Sequence, residues 1–404
     1  MSKLRTASIS IVGLACALGG FAAQADSSAL KQKVDAVIDQ AIAEDRIVGT
    51  VVLIEQDGKV VYERAAGMAD KESRKPMQLD TQFRLSSVSK PIVTVAALAL
   101  VDRKKISLDD PVTKWLPDFR PKLANGAMPP ITVRQLLTHT SGLGYKFAEK
   151  PGSAYYQAAI SDGFDDLRIS LDENMRRLAS VPLFDRPGEG WRYGLSIDVL
   201  GAVVEKASGK ALPQSVEELV TKPLGMQDTA FWAKTPARLA VPYHNAKPEP
   251  APMDDPYTTP FGEGGQMTYS PSRALDPQAY PSGGAGMVGS APDIMRLLEA
   301  IRTGGKPILK ADTAASMMRN QIGSLIGPGP GTGFGFGGAV VTDPAMAHTP
   351  QSPGTWQWGG VYGHTWFVDP ARKLTLVALT NTAPEGLFGK FTTDVRDAVY
   401  ESVK

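Results

Sequence analysis

Strand-forming residues gather at both ends of this chain, and that distribution limits its possible folds more than any single motif. Near the start, Gly49-Thr50-Val51-Val52-Leu53-Ile54-Glu55-Gln56 and Lys59-Val60-Val61-Tyr62-Glu63-Arg64 flank Asp57-Gly58, the signature of a two-residue hairpin. Near the finish, residues 333–341, 355–368 and 372–381 read as strands, the last two joined by an Asp369-Pro370 turn. Amphipathic helices bracket these runs, with Leu30, Val34, Ile38 and Ile42 on one stripe and Phe391, Val395 and Val399 on another. From about 105 to 285 the texture changes to short helical pieces and Pro/Gly-rich loops. The pattern predicts an α+β fold: one antiparallel sheet built from both chain ends, flanked by the terminal helices, with an inserted all-α lobe. The α/β lobe would cover about 27–105 and 285–404, the α lobe about 106–284, with a cleft between them. Residues 248–281 read as a long loop forming a wall of that cleft.

At the mouth of a long apolar helix stands Ser87-Val88-Ser89-Lys90, followed by Pro91-Ile92-Val93-Thr94-Val95-Ala96-Ala97-Leu98-Ala99-Leu100. Residues three apart share a helix face, so Ser87 and Lys90 can meet. A serine hydroxyl needs a neighbouring base to become a nucleophile. A lysine serves when its surroundings favour the neutral amine. The chain carries a second copy of the spacing, Ser28-Ala29-Leu30-Lys31, in which Ser28 reads as a helix N-cap and Lys31 falls off the apolar stripe.

Four further segments accompany Ser87 and Lys90: Ile131-Thr132-Val133-Arg134-Gln135-Leu136-Leu137-Thr138-His139-Thr140-Ser141-Gly142-Leu143, then Arg192-Tyr193-Gly194-Leu195-Ser196 running into a helix, Ser282-Gly283-Gly284-Ala285-Gly286-Met287, and Trp358-Gly359-Gly360-Val361-Tyr362-Gly363. In this order the chain resembles the serine β-lactamase and penicillin-binding-protein superfamily, most closely its class C-like carboxylesterases, the family VIII esterases. The resemblance spans about 30 to 400 and implies a β-lactamase-like fold. It implies Ser87 as the acylated nucleophile, Lys90 as its base or proton-sharing partner, and Tyr193 as the phenol that relays a proton to the leaving group. It also implies an oxyanion hole from the backbone N–H groups of Ser87 and Val361. Gly359 and Gly360 read as admitting substrate close to the strand, Leu195 and Trp358 as apolar surface for it, and Trp358 and Tyr362 as the aromatic residues of the site, with packing as the rival reading for these two. Trp191 reads as core.

Two departures from the superfamily pattern bear on substrate. Leu195 stands where lactamases and peptidases have the asparagine of Y-x-N, and Trp358 where they have the lysine that pairs with a substrate carboxylate. Losing a charge-assisted contact of about 2 kcal/mol costs roughly 30-fold in transition-state binding. Both losses fall on anionic, acylamino-bearing substrates and spare a neutral ester. Hydrolysis of short carboxylic esters through an acyl-serine is the expectation. The alternatives are a class C-like β-lactamase or D-amino-acid peptidase anchored by Arg192 or Asn381, and a catalytically silent binding protein.

Several other motifs lack their context. Tyr243-His244-Asn245 matches Y-x-N but has no helix behind it, and Arg302-Thr303-Gly304 reads as a helix end. Gly333-Phe334-Gly335-Phe336-Gly337-Gly338 lies in strand sequence, so it is no dinucleotide loop. No G-x-S-x-G elbow occurs. The histidines His139, His244, His348 and His364 show no metal-ligand spacing, and no metal or other cofactor is expected. His364 reads as a packed strand residue, with contact to substrate or to Tyr193 as the other reading.

Residues 1–25 read as a cleavable export signal: Lys3 and Arg5, an apolar run from Ile9 to Phe21, then Ala23-Gln24-Ala25 before Asp26. Cys16, the only cysteine, lies in a poor lipidation context. The expectation is a periplasmic or secreted protein without a stable membrane anchor, and without thiol or disulfide after cleavage. Beyond residue 25 the chain holds 41 basic and 42 acidic residues, a balance that gives no reason to expect a nucleic-acid partner. The expected partner is a small-molecule ester; oligomeric state is not legible.

Overall fold

The computed structural model describes residues 16–403, so residues 1–15 of the export-signal reading lie outside the described residues. Eight strands form one sheet in the spatial order Thr332–Phe334, Ala339–Val341, Trp356–Gly360, His364–Asp369, Leu374–Thr380, Gly49–Gln56, Lys59–Asp70 and Lys75–Pro76. Every neighbouring pair is antiparallel. The chain ends meet at mid-sheet, where Gly49–Gln56 lies along Leu374–Thr380 with Thr50 opposite Thr380 and Gln56 opposite Leu374.

Alternation along these strands sorts their side chains into two layers. Val52, Ile54, Phe367, Leu376 and Ala378 face the helices Cys16–Ala43 and Lys390–Tyr400, which contribute Leu30, Val34, Ile38, Phe391, Val395 and Val399. Val51, Leu53, Trp366, Val377 and Leu379 face the main core, shared with the helices Ser89–Asp102 and Ala291–Arg302. Every residue from Ser89 to Leu100 is buried. Apart from Ser89, Lys90 and Thr94 these residues are apolar, as a central core helix requires, and the helix anchors the Ser87 turn in the core.

The structure departs from the sequence expectations in four places. The segments 333–341 and 355–368 are each two strands, because Gly337 (φ +79°) and Gly363 (φ +113°) turn the chain inside them. The 248–281 segment is no bare loop: Tyr257–Phe261 and Gly265–Tyr269 form a hairpin, so the inserted lobe is not purely helical. Ser28 lies within the helix Cys16–Ala43 and is not its N-cap, while Lys31 makes an exposed pair with Asp35 at 2.7 Å. Among the described residues no helix is long and apolar enough to cross a membrane.

His364 ties the sheet to the segment carrying Ser87. Its Nε2 donates to the Arg84 carbonyl at 2.8 Å, and its ring meets Phe83 edge-on at 5.7 Å. Both contacts reach the strand Gln82–Arg84 that leads to Ser87. The side chain is a packed brace and touches neither the cavity nor Tyr193. Burial pushes its pKa down to about 4, so the ring is neutral in the fold but protonates near 6.5 when unfolded. Its contribution to stability is therefore complete above pH 6.5 and is lost as pH falls toward 4. The loss amounts to about 3 kcal/mol. His364→Gln should flatten that part of the pH dependence in urea midpoints measured from pH 7 to 4.5; equal slopes in variant and wild type would show that His364 is not the group responsible.

Candidate active site

The Gln82–Arg84 strand pairs with Val288–Ser290, setting Phe83 opposite Gly289. Beyond it the chain makes a single 3₁₀ turn, Ser86–Val88, before entering the core helix. Ser86 adopts φ +45°, a left-handed conformation uncommon for a residue with a side chain. Strain of this kind persists only where the surroundings over-determine it. Here Leu85 N–H donates to Met287 O at 2.9 Å and Met287 N–H to Ser89 Oγ at 3.1 Å, clamping the turn on both sides.

Three functional groups meet at Ser87. Tyr193 OH donates to Ser87 Oγ at 2.5 Å, and Lys90 Nζ lies 3.1 Å from the same oxygen. The Lys90 amine is fully buried; it also donates to Gly284 O at 2.8 Å and stands 4.6 Å from the centre of the Tyr193 ring. Tyr193 is held by aromatic neighbours, with ring centroids 5.1 Å from His139, 5.1 Å from Tyr145 and 5.4 Å from Trp358. The residue after it must be glycine, since a Cβ at position 194 would collide with the Leu143 carbonyl. Ser87 and Val361 both border the adjoining cavity, and the amide of Ser87, at the start of a helical turn, belongs to the class without an intrahelical partner.

That cavity has a volume of about 460 Å³, within the range of small-molecule sites. Phe147, Phe164, Trp191, Phe261, Trp358 and Phe388 make most of its wall, and none of its lining residues is charged. Five expectations need correction. Leu195 is wholly buried at the N-terminus of the helix Ser196–Ser208 and does not reach the cavity. Tyr362, next in line after Val361, turns away from the cleft and packs edge-on against Tyr269 at 5.0 Å. Gly360 admits protein and not substrate: a Cβ there would lie 2.5 Å from Leu85 O and from Ser86 Oγ. Gly359 does line the cavity, but its missing side chain makes room for Leu387 and the His364 carbonyl. Trp191, expected in the core, is half-buried and forms cavity wall.

The alternative anchors for an anionic substrate are occupied elsewhere. Arg192 pairs with Asp185 at 2.7 Å and lies over the Phe184 ring, and Asn381 donates to the Met68 and Ala69 carbonyls. The motif Tyr243-His244-Asn245 is remote in role: Tyr243 OH bonds Glu72 and the Lys71 amide.

Sequence reasoning missed three polar residues behind the reacting groups. Asp198 is fully buried, with Oδ1 accepting from Tyr280 OH at 2.9 Å and Oδ2 lacking a hydrogen-bond partner. Burial pushes its carboxyl pKa up, and the charge of Lys90 opposes that rise. Tyr145 also has a buried hydroxyl without a partner. His139, beneath Tyr193, accepts from Gly194 N–H through Nδ1 at 3.4 Å; burial first, and then the Lys90 charge, drive its pKa well below 6.5, so the ring is neutral at neutral pH. The signal for Asp198 was present: an acid in an otherwise apolar helix stretch, five residues beyond Tyr193.

Comparison with known proteins accords with this arrangement. The β-lactamase family model matches residues 34–400. The chain belongs to the β-lactamase family. It is 52% identical to esterase EstB of Burkholderia gladioli, over 93% of this chain and 96% of that one. The solved structure of EstCE1, described as a hydrolase with promiscuous acyltransferase activity, superposes with a TM-score of 0.91 at 49% identity, covering 93% of this chain and 99% of that one. Lovastatin esterase of Penicillium rubens is more distant, 28% identical over 72% of this family member and 73% of the esterase.

Lys90, Tyr145 and Asp198 converge on the bare Cα of Gly284. A Cβ placed there would lie 2.5 Å from Asp198 Oδ2, 3.0 Å from Tyr145 OH and 3.5 Å from Lys90 Nζ. Only the first two distances are too short for a carbon contact, so Gly284→Ala should push the Asp198 carboxyl and the Tyr145 hydroxyl aside and, through them, shift the amine that packs between Gly284 and Ser87. Displacement on the scale of 1 Å costs about 10²-fold in rate, so kcat on a nitrophenyl ester should fall by about that factor while the thermal melt stays cooperative. Wild-type kcat in a folded Gly284→Ala protein would exclude a role for this convergence.

Proposed function

We propose that this protein is a serine carboxylesterase that works through an acyl-enzyme on Ser87. The observation that carries this reading is the wholly uncharged, aromatic-walled cavity beside Ser87. A cephalosporin or peptidase substrate brings a carboxylate, which would lose hydration on entering and find no cation. A neutral ester carries no such penalty. The esterase relatives, EstB foremost, support the same choice.

In this mechanism Ser87 Oγ attacks the ester carbonyl and its proton passes to the Lys90–Tyr193 pair. The carbonyl oxygen becomes an oxyanion held by the N–H groups of Ser87 and Val361, both residues of the cavity lining. Collapse of the tetrahedral intermediate breaks the bond to the leaving oxygen, and the Tyr193 hydroxyl returns the proton to it, releasing the alcohol. Water, deprotonated by the same pair, then attacks the acyl-serine and regenerates the hydroxyl. Apolar aromatic walls also suit an alcohol as the second nucleophile, so acyl transfer to added alcohols accompanies hydrolysis, in keeping with the activity named for EstCE1. Export by the 1–25 leader, and action outside the cytoplasm on small esters with neither cofactor nor nucleic acid, complete the proposal.

Short nitrophenyl esters should exceed a chromogenic cephalosporin in kcat/KM by about tenfold or more, the scale of one lost charge contact. A fluorophosphonate should label Ser87, as located by mass spectrometry, and Ser87→Ala should abolish both labelling and turnover. A cephalosporin preferred by that margin would overturn the ester assignment, and full turnover by Ser87→Ala would overturn the mechanism.

A further inference from the structure

The cavity beside Ser87 adjoins a second chamber of about 310 Å³. Phe261, Val361 and Phe388 border both spaces, so these three side chains stand between them. The chamber is lined further by Asn245, Thr259 and Tyr269 and by the rings of His244 and Tyr257, which stack at 4.4 Å. Its outer wall is the hairpin Tyr257–Phe261/Gly265–Tyr269, on which 257, 259 and 261 alternate with the exposed Thr258 and Pro260. Phe388 is 69% exposed at the end of the short helix Glu385–Phe388, a large apolar side chain standing at the junction.

Resting on the ester reading above, we infer that this chamber receives the distal end of the acyl group, so that substrates include esters of medium-chain, uncharged carboxylic acids such as octanoic acid. Direction follows from the chemistry. The leaving oxygen must lie at Tyr193 to take its proton, and Tyr193 is packed against Trp191 and Trp358. The alcohol portion therefore occupies the side walled by the two tryptophans. With the carbonyl oxygen at Val361, the acyl substituent leaves the opposite way, past Val361 and between Phe261 and Phe388. No Asp, Glu, Lys or Arg lines the chamber. An uncharged chain gains burial there, worth about 0.8 kcal/mol per methylene, whereas a tail ending in a carboxylate would be stranded without a cation.

The test compares kcat/KM for p-nitrophenyl acetate, p-nitrophenyl octanoate and the mono-p-nitrophenyl ester of octanedioic acid, in wild type, Thr259→Trp and Phe388→Ala. Thr259→Trp fills the chamber from the hairpin's inner face and should lower the octanoate-to-acetate ratio about tenfold or more, mainly through KM. Phe388→Ala alters an exposed side chain, so it keeps the fold, and should change the same ratio about threefold or more by reshaping the junction. In wild type the carboxylate-ended ester should be turned over at least about tenfold less efficiently than octanoate. An octanoate-to-acetate ratio the same in all three proteins, or equal turnover of the two eight-carbon esters, overturns the chamber's role while acetate hydrolysis stands. Failure of wild type on every ester, acetate included, overturns the ester reading itself, and this inference falls with it.

Discussion

A fully buried lysine amine is the constraint around which the site is built. An amine out of contact with water needs hydrogen-bond partners. The Gly284 carbonyl and the Ser87 hydroxyl supply them, with the buried Asp198 carboxyl on the far side of Gly284 Cα. Because Lys90 sits on a helix buried from Ser89 to Leu100, it cannot swing out to solvent to relieve the demand. The amine stays beside Ser87 because the core holds it there.

The same core explains how distant segments are brought to one oxygen atom. Ser87 enters from a strand paired to Val288–Ser290, Gly284 lies just before that strand, and Tyr193 precedes a helix packed against the one carrying Lys90. Val361 comes from the sheet assembled from both chain ends, and His364 locks that sheet to the approach to Ser87 through the Arg84 carbonyl. Few of these elements are adjacent in sequence. The site is a product of tertiary packing.

That division accounts for what the sequence revealed. Strand alternation and the Asp57-Gly58 turn marked the hairpin and the meeting of the chain ends, because period and turn chemistry are local. Ser87, Lys90 and Tyr193 were legible through their motifs, and the structure brings the three together within hydrogen-bond reach of one oxygen. Leu195 and Tyr362 were misread because a motif gives residue order but not side-chain direction; one is turned into the core and the other packs on Tyr269. The glycines at 359 and 360 were read for a ligand, although the space they leave is filled by Leu387, His364, Leu85 and Ser86. Asp198 and Tyr145 escaped notice because a buried polar atom announces itself only when its surroundings are known.

Trp358 shows why specificity here is a property of the wall and not of one position. It stands where lactam-cleaving relatives in the resemblance carry a lysine, yet it does more than omit a charge. Its ring packs on Tyr193 at 5.4 Å and edge-on against Phe334 at 5.4 Å, and Phe334 in turn meets Trp191 and His139 at the same spacing. Such aromatic pairs contribute about 0.5–1.5 kcal/mol each beyond the area they bury. A cation at position 358 would remove that support from Tyr193 and would itself be desolvated among rings. Recovering an anionic substrate thus requires rebuilding the whole aromatic set, while a neutral ester uses the set as it stands.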